Sequence, residues 1–206
     1  MAWGPLAEAH AADGGASLAV LSESFSSPTL ARLASAFRNR YPKAIWATYD
    51  AVSDENRLAG LRSVTGRDLD LMLRFDRASV ILCLDADPLL TDPEMIRHSR
   101  GFAAGRQAGV SGGAMNRLYA VEGVYSLTGA MADHRLRLES GQIAAFLAAL
   151  AARLDAPGAG AAGQAGANVP GVEPRWIDAL AKDLLANRGK GLIVAGERQP
   201  AAVHAA

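Results

Sequence analysis

The sequence predicts an α/β protein built on a doubly wound, mostly parallel sheet. Short apolar runs alternate with stretches of helical spacing along the whole chain, the pattern of strands joined through crossover helices. The run Val80–Leu84 is apolar at every position, as expected of a strand that helices cover on both faces. Proline, glycine, aspartate and asparagine cluster at the boundaries between these runs, where turns need them.

Taken in order, Leu18–Leu21 reads as the first strand. Ser27 and Pro28 then supply an N-cap and a proline at the first helical position. Leu30, Leu33, Ala34 and Phe37 follow at helical spacing, and Pro42 prevents continuation. Ala44–Thr48 is the second strand, and Ser53-Asp54-Glu55-Asn56 opens a helix that ends near Gly66. Leu69, Leu71 and Leu73 alternate along the next stretch, before the strand Val80–Leu84. A helix from Pro93 to about Gln107, a glycine loop at Ser111-Gly112-Gly113 and a strand at Arg117–Glu122 follow. Arg135–Leu138 is a short strand and Gly141–Leu154 a helix. Residues 156–171 are mostly Ala, Gly and Pro with almost no charge, the composition of a flexible linker. Glu173–Asn187 is a long helix with Trp176, Leu180 and Leu184 on one side, and Gly191–Ala195 is the last strand. The division expected is a Rossmann-like domain at 1–155, a linker at 156–172, and a helix–strand–helix start at 173–206 that continues the same or the adjoining domain. The helix-like start at Gln199–Ala206 breaks off abruptly, which hints at a fragment.

Half of the 206 residues are apolar, enough for one substantial core. Lys plus Arg and Asp plus Glu number 21 each, for a net charge of zero, so nothing argues for a nucleic-acid partner. The single cysteine, Cys83, sits in an apolar run and reads as a small buried hydrophobe. One thiol excludes an internal disulfide framework, a cysteine-ligated cluster and a zinc site of that type. No signal peptide or twin-arginine pattern opens the chain. Its longest apolar stretch, Ile143–Ala152, is too short to span a bilayer, so a soluble chain without direct membrane insertion is expected.

In doubly wound sheets, ligands sit beyond the carboxyl ends of the strands. That rule points to Ser22-Glu23-Ser24, Tyr49-Asp50, Asp85-Ala86-Asp87, Glu122-Gly123 and Gly196-Glu197. Asp85 and Asp87 could bind a ribose, a guanine edge or a metal, or could cap the turn that Pro88 begins. The segment Thr128-Gly129-Ala130-Met131-Ala132-Asp133-His134-Arg135 crowds four polar groups into one loop. It reads either as a recognition loop for a pterin or nucleotide, or as Asp133 and Arg135 bonding to backbone and to each other. No glycine-lined phosphate loop occurs. His10, His98, His134 and His204 lack metal-ligand spacing and read as surface or supporting groups. Neither HExxH nor a Gly-x-Ser-x-Gly elbow is present.

Five segments, in order, carry a resemblance. They are Tyr49-Asp50 with Asp54-Glu55-Asn56-Arg57 and Gly60; Leu84-Asp85-Ala86-Asp87-Pro88-Leu89; Met115-Asn116-Arg117-Leu118-Tyr119 with Val121-Glu122; Thr128 to Leu136; and Gly196-Glu197-Arg198-Gln199-Pro200 with Val203-His204-Ala205. Together they resemble the molybdopterin-oxidoreductase-like iron–sulfur subunit of alternative complex III, within the dimethyl-sulfoxide-reductase superfamily. The resemblance implies a fold like that of the pterin-binding domains of that superfamily, in a half of the subunit that carries no molybdenum cofactor. It also implies that iron–sulfur clusters lie in a ferredoxin-like domain outside this chain, and that electrons from quinol pass through them.

The partners so implied are the other subunits of a membrane-bound respiratory complex, on the periplasmic side of the bacterial inner membrane. Asp85, Asp87, Thr128, Asp133 and Arg135 would line a vestigial or weak pterin or nucleotide pocket, with no catalytic residue and no metal. In related pterin enzymes a Pro-Gly-Thr-Asp-like turn follows the Thr…Ala-Asp motif, whereas Glu139-Ser140-Gly141-Gln142 stands here. The alternatives are a true molybdopterin-guanine-dinucleotide domain of a molybdenum oxidoreductase, and a stand-alone small-ligand binder. The docking reading further expects weak self-association, through the Gly141–Leu154 helix and the Trp176 helix.

Overall fold

The computed structural model describes residues 3–107, 112, 114–155 and 169–206. The Ser111–Gly113 loop and the linker expected at 156–172 therefore fall mostly outside the described residues. The chain divides into two compact units, Met1–Ser53 and Asp54–Ala206, a boundary that the expected division at 155 does not contain.

The first unit holds a helix α1 (Trp3–Ala12), strand β1 (Ala19–Ser22), helix α2 (Pro28–Arg40) and strand β2 (Ile45–Thr48). The two strands pair in parallel, with Ala19 opposite Ile45. No element is expected from sequence before Leu18, yet α1 forms. Its alanines favour helix without marking a face, so periodicity gives no signal. Gly14 and Gly15, both at positive φ, end it, and the Gly15 amide donates to the His10 carbonyl at 2.7 Å. The Ser27 hydroxyl caps α2 by accepting from the Leu30 amide, as Ser-Pro predicts. Trp46 anchors the unit: its ring meets Phe37 edge-on at 5.5 Å, and its indole N–H donates to Ser22 at 3.0 Å.

The second unit runs α3 (Glu55–Thr65), β3 (Val80–Leu84), α4 (Met95–Arg106), β4 (Arg117–Glu122), a one-turn helix α5 (Leu127–Ala130), β5 (His134–Arg137), α6 (Ile143–Arg153), α7 (Pro174–Ala186), β6 (Gly191–Ala195) and α8 (Ala201–Ala205). Short 3-10 turns lie at Phe75–Arg77 and Ser140–Gln142. The four strands form one parallel sheet in the order β5-β4-β3-β6. The α/β fold class read from the sequence is therefore the fold observed. Leu69, Leu71 and Leu73 form no strand; Leu69 and Leu71 are exposed.

β3 shows why its sequence is apolar throughout. Val80, Leu82 and Leu84 pack on one face with Phe146 and Leu150 of α6 and with Ile177 and Leu180 of α7. Ile81 and Cys83 pack on the other with Phe75 and Phe102. Burial pushes the Cys83 thiol far above its ordinary pKa, with the Asp87 and Glu122 carboxylates adding to the effect, so it stays a thiol. The two helices expected to offer a docking face are instead occupied: Ile143, Phe146, Ala149, Leu150, Ile177 and Leu180 are all core. Val169 and Val172, assigned to the linker by composition, are core residues too. Trp176 lies edge-on to Tyr119 at 5.8 Å and to Phe146 at 5.7 Å. Among the described residues, no helix is long and apolar enough to cross a membrane.

At the start of β4, Asp183 of α7 accepts from the Arg117 guanidinium at 2.6 Å and from the Tyr119 hydroxyl at 3.0 Å. Arg117, the chief cause, holds the Asp183 carboxyl below its ordinary pKa. Burial, reinforced by Asp183, pushes Tyr119 up to about 12. A folded-state pKa below the unfolded one stabilises above the unfolded value, near 3.9, and the contribution disappears as pH falls through the folded value. Urea midpoints of the protein and of Asp183→Asn should therefore differ at pH 6 and converge toward pH 2. A constant difference across that range would show that the carboxylate charge contributes nothing.

Candidate functional site

The chain leaves β3 for β4 and β5 on one side, then returns to lay β6 on the other side of β3. The connections thus change direction between β3 and β6, and the crevice of such a sheet opens at the carboxyl ends of these strands. Asp85 follows β3 there and is, among the described residues, one of two non-glycine residues with positive φ, at 51°, a conformation that aspartate tolerates better than most. The Gly196 amide, at the end of β6, donates to the Leu84 carbonyl at 2.9 Å. A Cβ on Gly196 would stand 1.9 Å from the Asp85 carbonyl oxygen. Only glycine permits this approach.

Of the five residues expected at a pterin pocket, Asp85, Asp87 and Thr128 lie at the carboxyl ends of the strands and Arg135 reaches Glu122 there, whereas Asp133 precedes β5 at the opposite, amino end beside Leu118 of β4; each spends its hydrogen bonds inside the chain. The Asp85 carboxylate accepts from the Ser140 hydroxyl at 2.5 Å and the Gln199 amide at 3.1 Å; Gln199 is fully buried. Asp87 accepts from the Thr128 amide at 2.9 Å and the Thr128 hydroxyl at 2.6 Å, so it caps α5 rather than the turn that follows it. Thr128 in turn accepts from the Leu89 amide at 3.3 Å. Asp133 takes both arms of Arg106 at 2.7 Å and the Leu118 amide at 2.8 Å. Burial works against its ionisation, but these donors win and hold its pKa below the ordinary value. Arg135 donates to Glu122 at 2.6 Å and lies over the Tyr125 ring. Asp133 and Arg135 therefore bond to Arg106 and Glu122, not to each other.

Glu122 is the residue that this loop is built around. It is 3% exposed, and beyond Arg135 it accepts from the Ser126 hydroxyl at 2.5 Å and the Ser126 amide at 3.3 Å. Gly129 leaves room for it; a Cβ there would meet the carboxylate at 1.9 Å. Position at a strand end marked Glu122 in the sequence. Nothing there marked Arg106, Ser140 or Gln199 as partners, because each lies far along the chain.

Separate from these five residues, a cavity of about 350 Å³ opens beside β6. Arg57, Glu94, His98, Glu197 and His204 line it. His98 is 1% exposed, so of the two readings open for the histidines, surface or supporting group, it is not the surface one. Gly60 lets α8 approach α3, since a Cβ there would meet the Ala201 carbonyl oxygen and the His204 Cβ at 2.6 Å. Burial, then the Asp54 charge, raises the Glu197 pKa; burial, then Arg57, lowers that of His204. Among the described residues no group of three His, Cys, Asp or Glu side chains is placed to hold a metal ion.

No protein-family model matches the chain, and no curated protein matches it. Among solved structures it resembles acetylene hydratase from Pelobacter acetylenicus, with a TM-score of 0.64 at 14% sequence identity. That match covers 100% of this chain and 31% of the other, so the chain spans about a third of that structure's length. At this identity, the likeness shows that the chain shares its α/β fold with part of acetylene hydratase.

Proposed function

We propose that this chain is a framework domain of a molybdopterin-oxidoreductase-like protein, holding no pterin itself. One observation carries the proposal: Asp85, Asp87, Thr128, Asp133 and Arg135 are all engaged by partners within the chain. A pterin or guanine nucleotide would have to break these bonds before gaining its own. The residues present therefore do not fit the group, and no reaction step runs through it here. The fold that the chain shares with part of acetylene hydratase is compatible with the superfamily side of this reading.

The motif order of the sequence supports the narrower setting. That setting is the iron–sulfur subunit of a quinol-oxidising respiratory complex on the periplasmic face of the inner membrane. In it the domain docks against other subunits, and the clusters belong to a ferredoxin-like half of the parent.

Two measurements test this. Metal analysis of the purified chain should find no stoichiometric molybdenum, tungsten or iron. Guanosine monophosphate in large excess should leave the melting temperature unshifted. Bound metal, or a saturable shift abolished by Asp87→Asn, would favour the second reading, a working pterin-binding domain. A ferredoxin-like, cysteine-rich region in the parent's coding sequence would support the respiratory setting, and a parent without one would remove it.

A further inference from the structure

The cavity beside β6 carries a pattern of unmet hydrogen-bonding needs that the framework reading does not use. Five carboxylates line it, Asp54, Asp70, Asp92, Glu94 and Glu197, against the single guanidinium of Arg57. Arg57 is already committed, donating to Asp54 at 2.6 Å and to Asp70 at 3.0 Å. Glu94 pairs with Arg97. Glu197 has no ion pair among the described residues.

The second observation is independent of this charge. His98 is buried, its ring tilted against that of Phe75 at 4.8 Å, and its Nε2 has no hydrogen-bond partner. Its Nδ1 lies 3.4 Å from the Pro88 carbonyl oxygen and 3.5 Å from Asp92 Oδ1. Both neighbours are acceptors, so a ring carrying one hydrogen holds it on Nδ1, and its Nε2 then presents a lone pair. Glu94 Oε2 stands 3.8 Å from that lone pair. An N–H group set between the two would satisfy both. His204 repeats the arrangement: it bonds the Gly196 and Gln199 backbone, and its Nε2 is also without a partner. The unmet groups are thus acceptors, apart from the Arg57 Nε–H.

We propose that this cavity binds a small organic cation, an ammonium or guanidinium whose N–H groups are shared between Glu197, Glu94 and the Nε2 atoms of His98 and His204. A metal ion is a poor match, since no three of these side chains converge on one point among the described residues. A nucleotide is a poor match as well, because its phosphates would face the carboxylates. A volume of about 350 Å³ suits a diamine or an alkylguanidine. A hydroxyl or carbonyl oxygen on the same molecule would answer Arg57 Nε–H. The inference stands apart from the framework reading and would survive its failure.

Calorimetric titration of the full chain with putrescine and with agmatine at low salt tests it, with 1,4-butanediol and guanosine monophosphate as controls. Saturable binding of at least one of the two amines is expected, with none for butanediol. Glu197→Gln should weaken the amine about tenfold, while Glu139→Gln, which does not line the cavity, should leave it unchanged. The ring-nitrogen shifts of His98 and His204 in the unmutated protein should move on titration, a readout that does not depend on any variant folding. Failure of both amines to saturate, equal binding of butanediol, unchanged affinity in Glu197→Gln, or unmoved histidine shifts would each overturn the proposal. So would displacement of a bound amine by guanosine monophosphate, which would assign the cavity to nucleotides.

Discussion

Gly196→Ala should lower stability by about 3 kcal/mol or more, the range of severe overpacking. The cause is not the backbone conformation of Gly196, which is not at positive φ. It is the 1.9 Å approach of a new Cβ to the Asp85 carbonyl oxygen and 2.7 Å to its carbonyl carbon. Both are main-chain atoms at the end of β3, so no side chain can swing aside. Relief requires β6 to move away from β3, which would disturb the Gly196–Leu84 hydrogen bond and the Asp85–Gln199 contact together. Gly66→Ala supplies the contrast. Gly66 has φ +67° and open space around its Cβ position, so the cost there is conformational and should be about 1 kcal/mol. Urea denaturation of the two variants checks this. Equal losses would mean that the β3–β6 junction yields more easily than its geometry indicates.

Arg135→Leu should be the second large loss, about 3 kcal/mol. Glu122 is 3% exposed, and its carboxylate rests on one guanidinium and one serine. Removing the guanidinium strands a charge out of water, and it also uncovers the Tyr125 ring 4.5 Å away. Because the penalty comes from the stranded charge, neutralising it should restore much of the stability. The double variant Glu122→Gln with Arg135→Leu should therefore be more stable than Arg135→Leu alone. Additive losses in a denaturant cycle would show that the pair is not coupled.

The sequence disclosed the interior of the second unit well. β3 lies where an uninterrupted apolar run places it, because a strand packed on both faces leaves no position for a polar residue, and β4 and β6 lie where their own mainly apolar runs place them. The capping of α2 by Ser27 was equally legible, being a matter of adjacent residues. Two helices escaped. α1 is rich in alanine without a distinct apolar face, and α5 is a single turn held by Asp87 from 41 positions away. Asp85, Asp87, Thr128 and Arg135 do gather near the carboxyl ends of the strands, but Asp133 sits at the other end of β4, against Leu118. Their partners Arg106, Ser140, Gln199 and Glu122 were not inferable as partners, since pairing across such separations is a property of the fold. The cavity was illegible for the same reason. Its walls come from separate stretches near Arg57, Asp70, Glu94, Glu197 and His204, none of which carries a motif for the chemistry that they create together.

The pairing of β3 with β6, Val80 against Gly191 through Leu84 against Ala195, sets an order of events during synthesis. β3 leaves the ribosome well before β6 and can associate with β4 soon after, but its other edge must wait until the long stretch between Leu84 and Gly191 has emerged. Throughout that interval the most apolar strand of the protein presents a bare row of amides and carbonyls, the situation in which nascent chains recruit chaperones or join one another. Contacts so distant in sequence also make the final closure slow.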